Sequence, residues 1–120
     1  MPDSDTPEQD LLIEAYRDFN ARRMDAVLAR MHPAVEWANG MEGGHVHGVE
    51  EVRAYWTRQW SMIEPRVEPL RVERDQAGRF VVEVHQVVRD LEGNLLQDAV
   101  VHHAYLISGG LIERMDIEKS

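Results

Sequence analysis

The chain contains no cysteine, which excludes disulfides and thiolate catalysis. Cationic side chains are in the minority: 13 Lys and Arg stand against 22 Asp and Glu, for a formal net charge of −9. A field of that sign repels phosphate backbones and anionic lipid, and no basic run offsets it, so neither nucleic acid nor a membrane is expected as a partner. No apolar run is long enough to span a bilayer. The opening MPDSDTPEQD is acidic and lacks the apolar h-region of a signal peptide. With the absence of cysteine, this fits the reducing cytoplasm, which is the expected location. No glycine motif follows a strand and opens a helix to cradle a phosphate, so no cofactor is implied. Aromatic residues are only 7% of the chain, yet all three tryptophans fall between Trp37 and Trp60.

That segment is the most informative one present. VEWANGMEGGHVHG carries Trp37, Asn39, Glu42, His45 and His47, and VEEVRAYWTRQW follows with Tyr55, Trp56, Gln59 and Trp60. Bulky aromatics beside a few ionisable groups suit a small-molecule pocket, and they equally suit a compact core.

The length of 120 residues allows one domain with one core. Residues 1–6 read as a flexible tail and 7–120 as the domain. Thr6 reads as an N-cap, Pro7 as the first helical residue and Gln9 as the reciprocal member of a capping box. Leu12, Ala15, Tyr16 and Phe19 then share one helical face. A short second helix is expected over about 25–31, ended by His32-Pro33. Ala34 to Ala38 reads as a strand, broken by Gly40, Gly43 and Gly44, with His45 to His47 in an exposed loop. A third helix spans Val49 to Ile63, and Pro65 and Pro69 bracket the entry into β structure. The period then falls to two, and four strands are expected: Leu70–Arg74, Arg79–Asp90, Leu95–Ile107 and Leu111–Glu118. Glycines in the turns supply the positive φ angles of tight hairpins. The result is an α+β chain: a cone-shaped, curved antiparallel sheet wrapped around three N-terminal helices. Strands such as VVEVHQVV are apolar on both faces, which predicts a homodimer through the convex sheet face.

In element order, and in the runs LLIEAYRDFNARRMDAVLARMHPAVEW, GVEEVRAYW and VVHHAYLISGGLIERMDI, the chain resembles the nuclear transport factor 2-like superfamily and, within it, the SnoaL-like group. The resemblance runs from about Pro7 to Lys119. It implies a cone fold with a pocket for a small, mostly apolar molecule. The superfamily includes isomerases, cyclases, epoxide hydrolases, dehydratases and proteins with no known reaction, so the fold does not choose a function. Set beside the ketosteroid isomerases, Tyr16 matches their helix tyrosine. Their aspartate base falls on Trp37, which cannot accept a proton, and their late-strand acid falls on His102 or His103. The Asp-Arg-Asp arrangement of the epoxide hydrolases is not gathered either, since Arg89, Asp98 and Asp116 do not share the cone by strand parity.

Aligning Gly110 with the hairpin glycine of these relatives puts His103 and Tyr105 inside and His102 outside. A slip of one residue would exchange the two histidines. His103 is the first catalytic candidate, as general base or as a donor that orients a carbonyl, against the alternative of a histidine simply bonded within the sheet. Glu42 is the second, an acid or base at the pocket mouth. Asn39 could hold a ligand oxygen, or merely satisfy a turn. Tyr16, Trp37, Tyr55, Trp56 and Trp60 are aromatic walls or core, and Gln59 is an amide on the buried stripe that needs partners. Gln86 shares the apolar face of its strand with Phe80, Val82, Val84 and Val88. By resemblance, Met115 and Ile117 point inward, while Arg114 and Asp116 point away. His45, His47 and Glu42 offer too few ligands at a recognised spacing for a metal site, so none is assigned. Three functions remain: an isomerase, cyclase or dehydratase that moves a proton on a small apolar carbonyl compound, a non-catalytic binder of an apolar metabolite, and a structural dimer with a filled cone.

Overall fold

The computed structural model describes residues 7–40 and 42–118. The expected tail and the Thr6 cap lie outside the described residues. The order is α1 (Pro7–Asn20), α2 (Met24–Leu28), β1 (Met31–Ala38), β2 (His45–His47), α3 (Val49–Trp60), β3 (Ile63–Arg74), β4 (Phe80–Asp90), β5 (Leu95–Ser108) and β6 (Leu111–Glu118).

α1 buries Leu12, Ala15 and Tyr16 along one stripe. Its end is unusual: Arg22 takes a left-handed φ of 62°, and Arg23 N–H reaches back to Asp18 O at 2.8 Å. Glycine normally fills such a helix-ending position. Here the Arg22 guanidinium donates to Pro65 O and lies over the rings of Phe19 and Trp60, and these contacts offset the backbone cost. α3 buries Val52, Tyr55 and Trp56. Its N-cap, Gly48, has φ 86° and ψ 157°, a conformation essentially reserved for glycine, so the chain can turn from β2 directly into the helix.

The six strands form one curved, unclosed sheet in the order β2-β1-β6-β5-β4-β3. The meander from β3 to β6 is antiparallel throughout. The sheet as a whole is mixed, which corrects the all-antiparallel expectation: β1 lies parallel to β6, with Trp37 opposite Met115. The connection between these two strands runs through α3 and the whole meander, long enough to bring the chain back in the same direction.

Further boundaries differ from the sequence reading, and α3 ends at Trp60 and not at Ile63. α2 stops at Leu28, and Met31, His32 and Pro33 already belong to β1. His45–His47 is not a loop but a short strand paired with β1, Trp37 opposite Val46. β3 begins at Ile63, so it contains Pro65 and Pro69 instead of starting after them. Proline is tolerated there because β3 is the outermost strand and pairs on one side only.

The core sits between the helices and the inner face of the sheet. Leu12, Val35, Val52, Val82, Val84 and Ile112 are all fully buried there. The inner face of β4 carries Phe80, Val82, Val84, Gln86 and Val88, and it pairs with the face of β5 that carries Tyr105, His103, Val101, Ala99 and Gln97.

Candidate functional site

A cavity of about 340 Å³ opens between α1, α3 and the inner face of the sheet. Trp37, Trp56 and Tyr55 supply aromatic wall, and Ile63, Pro65 and Val67 of β3 close one side. Leu96 and Ile117 also line it while remaining 57% and 41% exposed, so they mark the mouth. Among the described residues no Asp, Glu, Lys or Arg lines the cavity. A charged ligand would therefore lose its hydration without gaining a partner.

The polar groups of this apolar space are few and ordered. The Tyr105 hydroxyl donates to the Tyr16 hydroxyl at 2.8 Å, and the Tyr16 oxygen lies 2.8 Å from Nδ1 of His103. With Tyr105 donating to its oxygen, Tyr16 satisfies its own buried proton by donating to Nδ1, the arrangement that leaves no hydroxyl proton unpaired. Nδ1 is then the bare nitrogen, and Nε2 carries the proton. Burial, with a lesser contribution from His102, pushes the pKa of His103 down from 6.5 to about 4, which keeps the ring neutral at physiological pH. Burial also raises both tyrosines above their ordinary range, so the hydroxyls keep their protons. Nε2–H makes no hydrogen bond among the described residues, and His103, only 6% exposed, lines the cavity. This arrangement presents a donor, and the lone pair a general base would need is occupied by Tyr16.

The register fixes which histidine is inside. His103 pairs with Val82 and with Ile117, whereas His102 lies on the outer face, 3.7 Å from Glu83.

The remaining sequence-derived residues divide. Tyr16, Trp37, Tyr55, Trp56, Gln59 and Gln86 line the cavity, as do Tyr105 and Met115. Trp60, Asn39 and Glu42 do not. Trp60 backs the wall: it stacks on Trp56, centroids 5.8 Å apart, and Phe19 meets it edge-on. Asn39 is buried and holds the loop, accepting from Glu42 N–H at 2.9 Å. The Glu42 carboxylate faces outward, 65% exposed, 3.2 Å from Arg58. His45 and His47 pair instead with Asp116 and Glu36, so the two imidazoles and Glu42 do not converge. Asp116 is also held by Arg114 at 2.9 Å, and Asp98 by His85 at 2.7 Å.

Sequence reasoning missed the walls from β3 because it started that strand at Leu70. It also missed Gln97, which lines the cavity and accepts from Gln86 at 2.8 Å. The alternation of β5 does contain the signal, since Gln97 shares parity with His103, but a bulge between Val88 and Arg89 interrupts the pairing there.

The architecture is an open cone of helices and curved sheet around an uncharged, aromatic-walled cavity of small-molecule size. The chain belongs to the SnoaL-like domain family, whose model matches residues 12–115. Among solved structures it is similar to a nuclear transport factor 2-like protein of unknown function from Burkholderia pseudomallei (24% identity, TM-score 0.83, covering 97% of this chain and 92% of that one). It is similar also to TerC co-crystallised with polyporic acid (24% identity, TM-score 0.82, 96% and 92% covered). A third similar structure is a Mycobacterium tuberculosis protein in complex with estradiol-17β-hemisuccinate (15% identity, TM-score 0.81, 97% and 95% covered). None of the curated proteins matches the sequence. No helix among the described residues is long and apolar enough to cross a membrane.

Proposed function

We propose that residues 7–120 act as one cone domain that binds a neutral, mostly apolar small molecule through an oxygen acceptor such as a carbonyl, with His103 as the donor. The observation that carries this reading is the chain Tyr105–Tyr16–His103, which ends in a neutral, buried N–H inside a cavity lined by no charged residue. Crystallisation of two proteins of this fold with polyporic acid and with estradiol-17β-hemisuccinate supports a ring-bearing, largely apolar ligand with oxygen substituents.

The test uses tryptophan emission, because Trp37 and Trp56 line the cavity. Titration with flavanone, a neutral ring ketone, is expected to quench the wild type. His103→Phe is expected to weaken binding about tenfold, the size of one buried hydrogen bond to a neutral group. His103→Asn, which keeps an N–H donor, is expected to stay within about threefold of wild type. Equal affinity of the Phe variant and the wild type would sink the assignment.

A second reading, an isomerase, cyclase or dehydratase acting by proton transfer, is favoured by the same donor. A preorganised neutral N–H stabilises an oxyanion as it develops. Glu42 is the proton-carrying candidate of this reading: its loop follows Gly40 of the lining, and the carboxylate would have to leave Arg58 to reach the cavity. Unchanged turnover of a convertible ketone after both Glu42→Gln and His103→Phe would remove it.

We also infer a homodimer through the outer face of the sheet. Val100 and Leu106 are 45% and 41% exposed on β5, and they sit among Glu83, His85, Asp98 and His102 of the same face.

A further inference from the structure

The proposed donor role of His103 leaves one buried polar atom of the cavity unused. Gln59 lies on α3, across the cavity from β5, and its side chain lines the space. Its Nε2 donates to the Tyr55 hydroxyl at 3.3 Å. That hydroxyl also accepts from Gly40 N–H at 3.1 Å, which fixes Tyr55 against the loop and so fixes the amide. Gln59 Oε1 is sealed from solvent and has no hydrogen-bond partner among the described residues. A buried amide oxygen without a donor is a rare and costly feature, and here the side chain that carries it lines a cavity able to hold the missing partner.

We propose that Gln59 is the second recognition point of the cavity, and that the occupant carries a hydroxyl or N–H donor at one end for Gln59 Oε1 as well as the acceptor oxygen that meets His103. The inference rests on the ligand-binding reading and narrows it from neutral ketones to neutral hydroxy-ketones or their amide counterparts. Chemistry at the two poles is complementary: β5 offers a donor, Nε2–H, and α3 offers an acceptor, Oε1. The aromatic surfaces between them, Trp37, Trp56 and Tyr55, suit a flat or ring-bearing body. A ligand entering the wrong way round would set acceptor against acceptor at Gln59 and leave Nε2–H unpaired, so the pair of residues selects orientation as well as composition.

The experiment compares unsubstituted flavanone with a panel of monohydroxyflavanones in which the hydroxyl is moved around both aromatic rings. Binding is read by tryptophan quenching near pH 6.5, where these probes are neutral. The expected result is that at least one isomer binds wild type about tenfold more tightly than the parent, the effect of satisfying one buried acceptor. Gln59→Leu is expected to abolish that preference, and a near-ultraviolet circular dichroism spectrum like that of wild type shows that the variant is folded. Gln59→Met serves as a second apolar replacement of similar length and is expected to behave alike. If the parent binds and no isomer is preferred, or if the preference survives in both variants, the Gln59 assignment is overturned while the binding reading stands. If neither the parent nor any isomer binds, both fall.

Discussion

His103 sets the character of the site. A histidine with a free lone pair and an ordinary pKa would be a base and a pH switch. In this chain the Tyr16 hydroxyl occupies Nδ1 and burial holds the pKa near 4, so the ring is a fixed donor across the physiological range. The same shift makes a stability prediction. The unfolded chain binds a proton at His103 near pH 6.5, whereas the folded chain does so only near pH 4. The contribution is therefore full above pH 6.5 and is lost progressively as pH falls from 6.5 to 4, where the unfolded state holds more protons. For a residue 6% exposed, the window corresponds to about 3 kcal/mol. Urea unfolding of the wild type and His103→Asn at a series of pH values should show a flatter pH dependence for the variant in that window. Parallel curves would show that His103 takes up its proton equally in both states. Alternation along β5 put His102 and His103 on opposite faces, because side chains on a strand change face at every residue, but only the register of the sheet decided that His103 is the inner one. Its tautomer was not legible either, because that depends on Tyr16 and Tyr105, residues 87 and 89 positions away from their partners.

The elements hold the cavity by contacts that patterns do not reveal. β3 is an edge strand whose outer side has no strand neighbour, yet Val67 of that strand lines the cavity. Asn20, at the end of α1, substitutes for a strand partner: its Nδ2 donates to Val67 O at 2.7 Å and its Oδ1 accepts from Val67 N at 2.9 Å. Replacing it by alanine leaves a partly buried N–H and C=O unpaired. Asn20→Ala is expected to cost about 2 kcal/mol and to raise hydrogen exchange at the Val67 amide well above that at Val82 in the sheet centre. An unchanged Val67 exchange rate would mean that the edge is held by β4 alone. The helices were readable from period 3.6 and the hairpins from glycine. The entry of β3 was misread because two prolines normally argue against a strand, and only the place of β3 at the edge removes that objection. β2 was misread because three residues carry too little pattern to identify a strand, and their pairing with β1 creates it.

At the scale of the molecule, two properties act together. A net charge of −9 opposes association, and the outer sheet face exposes Val100 and Leu106. The inferred dimer requires that burial of that face exceed the repulsion. Val100→Lys combined with Leu106→Lys is expected to give monomers in sedimentation velocity at concentrations where the wild type is dimeric, with flavanone affinity within about twofold because both side chains point away from the cavity. A wild type that sediments as a monomer would rule out the sheet-mediated dimer.

The sequence by itself determined the class of element at most positions, the alternation of side chains along β4 and β5, and the clustering of aromatics in one segment. These follow from local rules: helical and strand periods, and the conformational freedom of glycine. Only the tertiary structure decided that β1 joins β6 in parallel, that Glu42 turns outward to Arg58, and that Gln97 joins the rim. It alone joins Tyr105, Tyr16 and His103 in one hydrogen-bonded chain at the cavity and leaves Gln59 Oε1 without a partner among the described residues. Those outcomes depend on which distant groups meet, and hydrogen bonds between residues far apart in the chain are fixed by packing and not by sequence spacing.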